Sequence, residues 1–295
     1  YGFTAGGQQS GNPSYDRIDK FPFASDSNAT DVANLYIAQR LAGGASSGDG
    51  YGLHMGGKTS SNTNIDIIHK YNQIAGTDSV DHGDLSAAQN MGVAGVSDTG
   101  ASYGYAAGGT SSPFTKGKDK IAFSSNTTAT DIGALSVHRG EVGGANDSTH
   151  GYCLGGVNSS YGSTYDVIDR WVFASGGVSV DVGNLTQHRT ISSYTSSSTH
   201  GYGAGGYATG GPAIVNIIDK FAFAASGNAT DVGDLSTGVT QGGAGQSSAT
   251  YGYNVGGQPP ATKNNIEKYS FTTDGSSTDI ADLTLARVYP SGTQY

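Results

Sequence analysis

A Gly-Gly pair recurs six times along the chain and divides it into units of nearly constant length. Each pair ends a short run of aromatic and aliphatic residues, and successive pairs are 50, 52, 47, 50 and 51 residues apart. A period near fifty residues indicates one supersecondary unit copied in series. Residues common to all copies therefore build the unit, and function is expected where the copies differ. The first glycines of the pairs are Gly6, Gly56, Gly108, Gly155, Gly205 and Gly256.

The composition favours an ordered, turn-rich, all-β protein. Only 13% of the 295 residues are charged and 48 are glycine, a mixture that also occurs in disordered chains. However, 18 Tyr and 9 Phe stand at repeating positions, and disordered segments are poor in aromatic residues. No copy contains a useful stretch of helical periodicity.

The fifth copy shows four strand signals in order. The small-residue and Tyr run 201–206 is followed by a variable loop and then by Ile218–Phe223, in which period two places Phe221 and Phe223 on one face. We expect this aromatic face to pack against a neighbouring sheet. An outer strand near 230–235 and a Gly/Ala-rich strand near 242–246 complete the unit.

Four-stranded units in series close into a β-propeller. The chain begins with the second strand of a unit at Tyr1, and residues 288–295 align with a first strand. The sequence therefore predicts one six-bladed propeller domain over 1–295, with the smallest-residue strands at the axis and the C-terminal strand completing the first blade. Because Tyr1 is not Met and falls within a repeat, an upstream segment is left open. The repeats are expected at about 1–50, 51–102, 103–150, 151–200, 201–250 and 251–295.

The motif order resembles that of a kelch-type repeat. An Arg precedes the small-residue strand, the aromatic strand ends in Gly-Gly, and Ile218-Asp219-Lys220 and Asp231 to Leu235 follow. This resemblance covers the whole chain and implies the propeller fold. It implies little about activity, because kelch-type propellers include both binding modules and oxidases.

Three runs carry a closer likeness: Ser-Ser-Thr-His-Gly-Tyr at 197–202, Asp-Ser-Thr-His-Gly-Tyr at 147–152, and residues 218–235. They resemble the Gly/Ser/Thr-rich propeller repeats in virion proteins of tailed marine bacteriophages. The likeness implies a non-enzymatic capsid decoration, fibre or tail component of the extracellular particle. Its partners would be other virion proteins or a glycan or protein of the host surface, with no cofactor.

Two other functions stay open at this point. One is a carbohydrate- or protein-binding propeller of a secreted bacterial protein, and the other is a kelch-type oxidase or lyase. The net charge of −9 argues against nucleic-acid binding, which requires clustered Lys and Arg. No run approaches the ~18–20 apolar residues of a membrane span, so no membrane insertion is expected.

We expect neither a catalytic set nor a metal site. A copper radical enzyme on this scaffold would resemble oxidases that need a Tyr-Cys crosslink and His ligands, but Cys153 falls in a core-type slot held elsewhere by Leu53 or Tyr105. The recurring Asp31, Asp131 and their equivalents supply one carboxylate per blade, which does not converge on one calcium ion.

The acids of the Ile-Asp-Lys motif are charged groups within an otherwise buried strand. Buried charges need partners, so we expect Asp19, Asp119, Asp169 and Asp219 to bond backbone or an Arg of the adjoining blade. His69 and Glu267 replace the Asp in two copies.

Two groups of residues are candidates for ligand binding, both on one rim of the propeller. The first lies in the connections before the innermost strands, at the expected mouth of the central channel, where Arg could grip a carboxylate or phosphate; the alternative is that these Arg pack between blades. The second lies in the variable loops after Gly-Gly, since recognition on rigid scaffolds concentrates in loops. The channel-mouth candidates are Arg40, His138, Arg139, His188, Arg189 and Arg287, and the loop candidates are Tyr161, Tyr165, Tyr207 and Asn264, with Phe114.

Overall fold

The computed structural model describes residues 1–9, 13–87, 92–98, 100, 102–109, 117–158, 160–190, 193–210, 214–236, 242–258 and 261–295. These residues form a six-bladed β-propeller, with six sheets of four antiparallel strands each, and contain no helix. The predicted all-β fold and the number of blades are confirmed. Phe114 and parts of five of the six variable loops lie outside the described residues.

The first three blades are given from the axis outward. Blade 1 contains β26 (Ser291–Gln294), β1 (Gly2–Ala5), β2 (Arg17–Phe21) and β3 (Thr30–Asn34). Blade 2 contains β5 (Gly43–Ser46), β6 (Tyr51–Met55), β8 (Ile67–Asn72) and β9 (Val80–Asp84). Blade 3 contains β10 (Ala94–Ser97), β11 (Tyr103–Ala107), β12 (Gly117–Ala122) and β13 (Thr130–Ala134).

The other three blades have the same order. Blade 4 contains β14 (Gly143–Asn146), β15 (His150–Leu154), β16 (Val167–Val172) and β17 (Gly176–Asn184). Blade 5 contains β18 (Ser193–Ser196), β19 (His200–Tyr207), β20 (Ile214–Ala222) and β21 (Thr230–Asp234). Blade 6 contains β22 (Ala244–Ser247), β23 (Tyr251–Val255), β24 (Asn265–Ser270) and β25 (Thr278–Asp282). A small two-stranded sheet joins β4 (Gln39–Arg40) to β7 (Lys58–Thr59).

Both chain ends meet in blade 1, as predicted. Strand β26 pairs with β1 in an antiparallel register that runs from Gly2 opposite Gln294 to Ala5 opposite Ser291. The Tyr295 amide also donates to the Tyr1 carbonyl oxygen at 2.9 Å. Pairing the last strand with the first closes the ring and removes the exposed sheet edges that an open array would present.

The repeated Gly-Gly pair makes the sharp exit from the second strand. In blade 1, Gly6 and Gly7 have φ angles of 67° and 92°, a left-handed conformation that side chains disfavour. Their amides donate to the carbonyl oxygens of Arg17 and Gln39, which ties the exit to the third strand and to the connection that leads from blade 1 into blade 2.

The core is divided among the interfaces between adjacent blades. In the described part of the chain, six apolar clusters fill these interfaces, each built from two neighbouring sheets. In one of them, Tyr152 of blade 4 stacks on Phe223, which follows the third strand of blade 5, with ring centroids 4.9 Å apart. Phe221 is buried in the same cluster, so the predicted packing of the aromatic face is confirmed.

The innermost strands are so close together that glycine is required at the axis. A Cβ atom on Gly245 would overlap the Tyr194 carbonyl oxygen, and one on Gly44 would overlap that of Gly292. The prediction that the smallest-residue strands line the axis is therefore confirmed, with one exception. The six equivalent axial positions are Gly44, Gly95, Gly144, Tyr194, Gly245 and Gly292.

Candidate functional site

Three of the four candidate arginines lie in buried ion pairs. Arg139 contacts Asp169 at 3.0 Å, Arg189 contacts Asp219 at 3.0 Å, and all four side chains are 0% exposed. Arg287 and Asp19 form the equivalent pair at 2.7 Å, also with 0% exposure. The guanidinium groups additionally donate to backbone carbonyls, such as Gly205 for Arg189.

Each of these carboxylates also binds the blade that precedes it. Asp219 of blade 5 accepts hydrogen bonds from the amide and hydroxyl of Thr186, which follows the outer strand of blade 4. Thr284 donates to Asp19 in the same way, and Ser86 to Asp119. The expectation that the acids of this motif bond neighbouring backbone and Arg is thus confirmed, with the Arg entering from the connection into the same blade. Arg139, Arg189 and Arg287 consequently pack between blades and do not face the channel mouth, in contrast to the ligand-binding prediction.

Arg40 is not equivalent to the other three arginines. Arg139, Arg189 and Arg287 each stand five residues before the axial position, whereas Arg40 stands four before Gly44. The equivalent residue in blade 2 is Gln39, whose side-chain oxygen accepts from the His69 Nε2 at 3.0 Å. In the sequence, the only indication of this difference is that Arg40 stands one residue closer to its axial glycine than the other three arginines do to their axial residues.

Because Gln39 occupies the ion-pair position in blade 2, the side chain of Arg40 extends to the rim instead. Its guanidinium donates to the Ser14 hydroxyl at 2.9 Å, to the Thr59 carbonyl at 3.0 Å and to the Asn62 side-chain oxygen. Burial lowers the pKa of Arg40, and the nearby Tyr289 acts in the opposite direction. Arg40 therefore organises the loop of blade 2 at the upper face, where the variable loops emerge.

The upper channel mouth is a ring of backbone hydrogen bonds. Tyr289 donates to Gly242, Leu41 to Tyr289, Gly92 to Leu41, and Val142 to Gly92, over 2.6 to 3.0 Å. Leu41, Glu141 and Tyr289 adopt positive φ angles of 63°, 51° and 60°, which are uncommon for such side chains. A cavity of about 50 Å³ lies beneath this ring.

Two ionisable side chains of this mouth have shifted pKa values. Burial raises the pKa of Glu141, and Lys58 acts in the opposite direction. Burial and the Glu141 carboxylate raise the pKa of Tyr289 to about 12. The upper mouth is therefore a narrow, mainly apolar opening that favours the neutral forms of both groups.

The two candidate histidines lie at the surface of the upper face. His138 and His188 are exposed, and the His188 Nδ1 lies 2.7 Å from the Thr164 hydroxyl. His188 and Thr164 line an open groove of about 470 Å³ between the loops of blades 4 and 5.

The loop candidates differ in their contacts: Tyr161 exposes its side chain, whereas Tyr165, Tyr207 and Asn264 form backbone hydrogen bonds. Tyr161 is 47% exposed and adopts a φ of 56°. The backbone carbonyls of Tyr165, Tyr207 and Asn264 accept hydrogen bonds from the amides of Arg189, Thr190 and Leu283, respectively. Arg189 and Thr190 lie in a connection to an inner strand, and Leu283 follows an outer strand. These candidates are therefore spread around the rim, and the described contacts do not bring them together into one site.

The opposite, lower end of the channel holds a cup that the sequence interpretation missed. It has a volume of about 310 Å³ and is walled by the last residues of the inner strands. The side chains of five of the six wall residues each accept the amide N–H of the wall residue in the preceding blade, at 2.8 to 3.4 Å. A polar residue recurring at this position was the available signal. The six wall residues are Ser46, Ser97, Asn146, Ser196, Ser247 and Gln294.

Tyr194 forms the floor of the cup, since it lines both the lower cup and the upper cavity. It projects from blade 5 across the axis, where its phenol forms hydrogen bonds with the backbone of Gly95 and Gly44. Burial raises the pKa of this phenol, and those hydrogen bonds act in the opposite direction. Tyr194 therefore separates the two ends of the channel.

Aromatic side chains surround the cup on the second strands. Lys20 lies over the Tyr1 ring at 4.1 Å, Lys70 over Tyr51 at 4.2 Å, Lys120 over Tyr103 at 3.8 Å, and Lys268 over Tyr251 at 5.0 Å. His150 and His200 occupy the same position in the other two blades. The lower face thus carries a repeated aromatic rim around a polar cup.

Cys153 is a core residue, as the sequence indicated, but it does not occupy the slot of Leu53 and Tyr105. The strand register gives that slot to Tyr152 and makes Cys153 equivalent to His54 and Ala106. The Cys153 side chain is 0% exposed, and burial raises the pKa of the thiol to about 11. Among the described residues, no group of three or more His, Cys, Asp or Glu side chains is arranged to hold a metal ion. In the same part of the chain, no helix is long and apolar enough to cross a membrane.

No protein-family model matches the chain, and no curated protein matches its sequence at a significant level.

Proposed function

We propose that the protein is a non-enzymatic structural or adhesion component of a bacteriophage virion, acting as a capsid decoration, fibre or tail component. Its partners are other virion proteins or a glycan or protein of the host surface. The resemblance of 197–202 and 218–235 to virion propeller repeats supports this proposal.

The observation that carries the proposal is that the buried charged groups link neighbouring blades through ion pairs and hydrogen bonds. Arg189 and Asp219 are both fully buried, and Asp219 also holds Thr186 of the preceding blade. A side chain that is buried and bonded in this way has no face left for a substrate. Such groups instead stiffen the ring, which suits a module that displays its two faces on the outside of a particle.

The proposal is tested on phage particles purified from a lysate of host cells infected with a phage whose genome encodes this chain. Particles purified on a density gradient should contain its peptides at a fixed ratio to the major capsid protein, and the ratio should survive a high-salt wash. Antibodies raised against the folded propeller should label intact particles. Recovery of the protein only in the particle-free fraction of the lysate would overturn the proposal and favour a secreted binding module.

A further inference from the structure

The lower cup has the size of a small-molecule site. Its volume of about 310 Å³ falls at the low end of the ~300–1,000 Å³ typical of ligand pockets. Tyr194 closes the inner end, so a ligand enters from the lower face only and cannot thread through the axis. The cup therefore suits a compact group presented end-on.

The wall of the cup presents hydroxyl groups that are held in place. Ser97, Ser196 and Ser247 each accept an amide N–H of the preceding blade. A hydroxyl that accepts one hydrogen bond retains its own proton and a second lone pair. The ring therefore offers several preoriented groups that can both donate and accept, which matches a ligand rich in hydroxyls.

The lining of the cup itself favours a neutral terminal unit, and the rim lysines Lys20 and Lys268 lie outside it, over Tyr1 and Tyr251. Among the described lining residues of the cup, Asp147 is the one charged side chain, and there is no Lys or Arg to hold an anion. Asp147 is itself engaged by the Thr149 amide and hydroxyl, the His150 amide and the Tyr152 hydroxyl. A single carboxylate bonded in this way is a poor cation site, since a hard cation such as calcium takes six or more oxygen ligands.

The rim extends the site beyond the cup. Tyr1 and Tyr251 are 51% and 38% exposed, and each precedes a glycine that pairs with a wall residue of the cup. Aromatic rings of this kind combine an apolar face with a polar hydroxyl. They stand where the next unit of a chain-like ligand would leave the cup.

From these features we propose that the lower cup binds the terminal unit of a neutral glycan, with the adjoining unit against the tyrosine rim. This inference rests on the adhesion role proposed above and names the ligand class. An acidic sugar is the other occupant that the experiment distinguishes.

The test uses saturation-transfer NMR and titration calorimetry on the full chain. The probes are glucose, galactose, mannose, N-acetylglucosamine and their β-linked dimers, with glucuronic acid and sialic acid as anionic counterparts. We expect binding of at least one neutral sugar, tighter binding of its dimer, and no binding of the acids. Binding of the acids alone, or of no sugar, would overturn the inference.

A pair of variants locates the site. Ser198→Trp places an indole at the cup, since Ser198 lines it at an exposed hairpin position. Ala249→Trp introduces the same residue at the equivalent hairpin position of blade 6, which does not line the cup. We expect Ser198→Trp to weaken binding more than tenfold and Ala249→Trp to leave it within twofold, with equal melting temperatures. Equal binding by both variants would refute the assignment.

A wall variant tests the hydroxyl ring directly. Ser97→Ala removes one donor from the cup, so we expect about three- to tenfold weaker sugar binding, the usual effect of one lost hydrogen bond. Unchanged binding by Ser97→Ala in a chain that still binds sugar would contradict the role of the ring. The particle assay above is independent of these measurements, so failure of sugar binding leaves the virion proposal standing, and the converse also holds.

Discussion

The His69 Nε2 donates to the Gln39 side-chain oxygen at 3.0 Å, in the place where three other blades hold a buried Arg–Asp pair. Ser79 lies 3.2 Å from the His69 Nδ1. Both ring nitrogens are therefore engaged while the imidazole is neutral. Blade 2 solves the same packing problem with a neutral pair, and this difference makes its contribution to stability dependent on pH.

Breaking one buried ion pair should destabilise the protein strongly. Arg189→Met leaves the Asp219 carboxylate buried without its cation, and we expect the free energy of unfolding to fall by about 3–5 kcal/mol. The matched control is Lys220→Met, one residue beyond Asp219 on the same strand, which removes a partly exposed ion pair with Asp274. We expect at most ~1 kcal/mol from the control. Urea unfolding of both variants gives the comparison, and equal losses would contradict the structural role of Arg189.

Acid should weaken the fold through His69. Burial lowers the pKa of His69 from 6.5 to about 4. Since the folded-state pKa is depressed, the unfolded chain binds a proton first as the pH falls below about 6.5. The contribution of neutral His69 to the free energy of unfolding is therefore complete above about pH 6.5 and is lost between about pH 6.5 and pH 4. From this residue we expect a loss of about 2 kcal/mol between about pH 7 and about pH 5.

Several other groups with shifted pKa values affect the same pH range, and His54 and Asp119 are the two nearest in role to His69. Burial, with the neighbouring His69, lowers the pKa of His54 well below its usual value, so His54 acts in the same direction. Burial raises the pKa of Asp119, which acts in the opposite direction. Urea unfolding at the two pH values in the native chain and in His69→Gln separates the His69 contribution; an identical pH dependence in both proteins would rule it out.

Blade 2 should accept the ion pair of its neighbours. In the double variant Gln39→Arg with His69→Asp, the two side chains recreate the pair found at Arg189 and Asp219. Each single variant buries an unpaired charge and should lose about 3–5 kcal/mol. The double variant should recover most of that loss and should lack the part of the acid sensitivity between about pH 6.5 and pH 4 that comes from His69. A double-mutant cycle measures the coupling, and additive losses would show that the positions are not equivalent.

A methyl group at the axis should destabilise the protein. In Gly245→Ala the new Cβ would overlap the backbone of Tyr194, so the inner strands must separate, and we expect a loss of about 1–3 kcal/mol. Gly227→Ala is the control, because a Cβ there has no neighbouring atom within 4 Å. The control should change stability by no more than about 1 kcal/mol. Thermal and urea unfolding decide between them.

Much of the candidate site was not readable from the sequence pattern, for reasons that differ between residues. The four arginines look alike in sequence, but Arg40 is one residue nearer the axis than its apparent equivalents and so leaves the ion-pair position to Gln39. The lower cup escaped because Ser97 and Ser196 stand in different repeats, and only the closed ring places them around one cavity.

The repeat period, the alternation of aromatic residues and the matching ends of the chain were sufficient to predict six four-stranded blades and their closure in blade 1. These features are local or periodic, so strand patterning and sheet-edge pairing express them directly. Which side chains meet at the axis was decided by tertiary structure alone. Tyr194 of blade 5 closes the channel by reaching Gly44 and Gly95 of blades 2 and 3, and the wall of the cup takes one residue from each blade. Both arrangements exist only after the ring has closed.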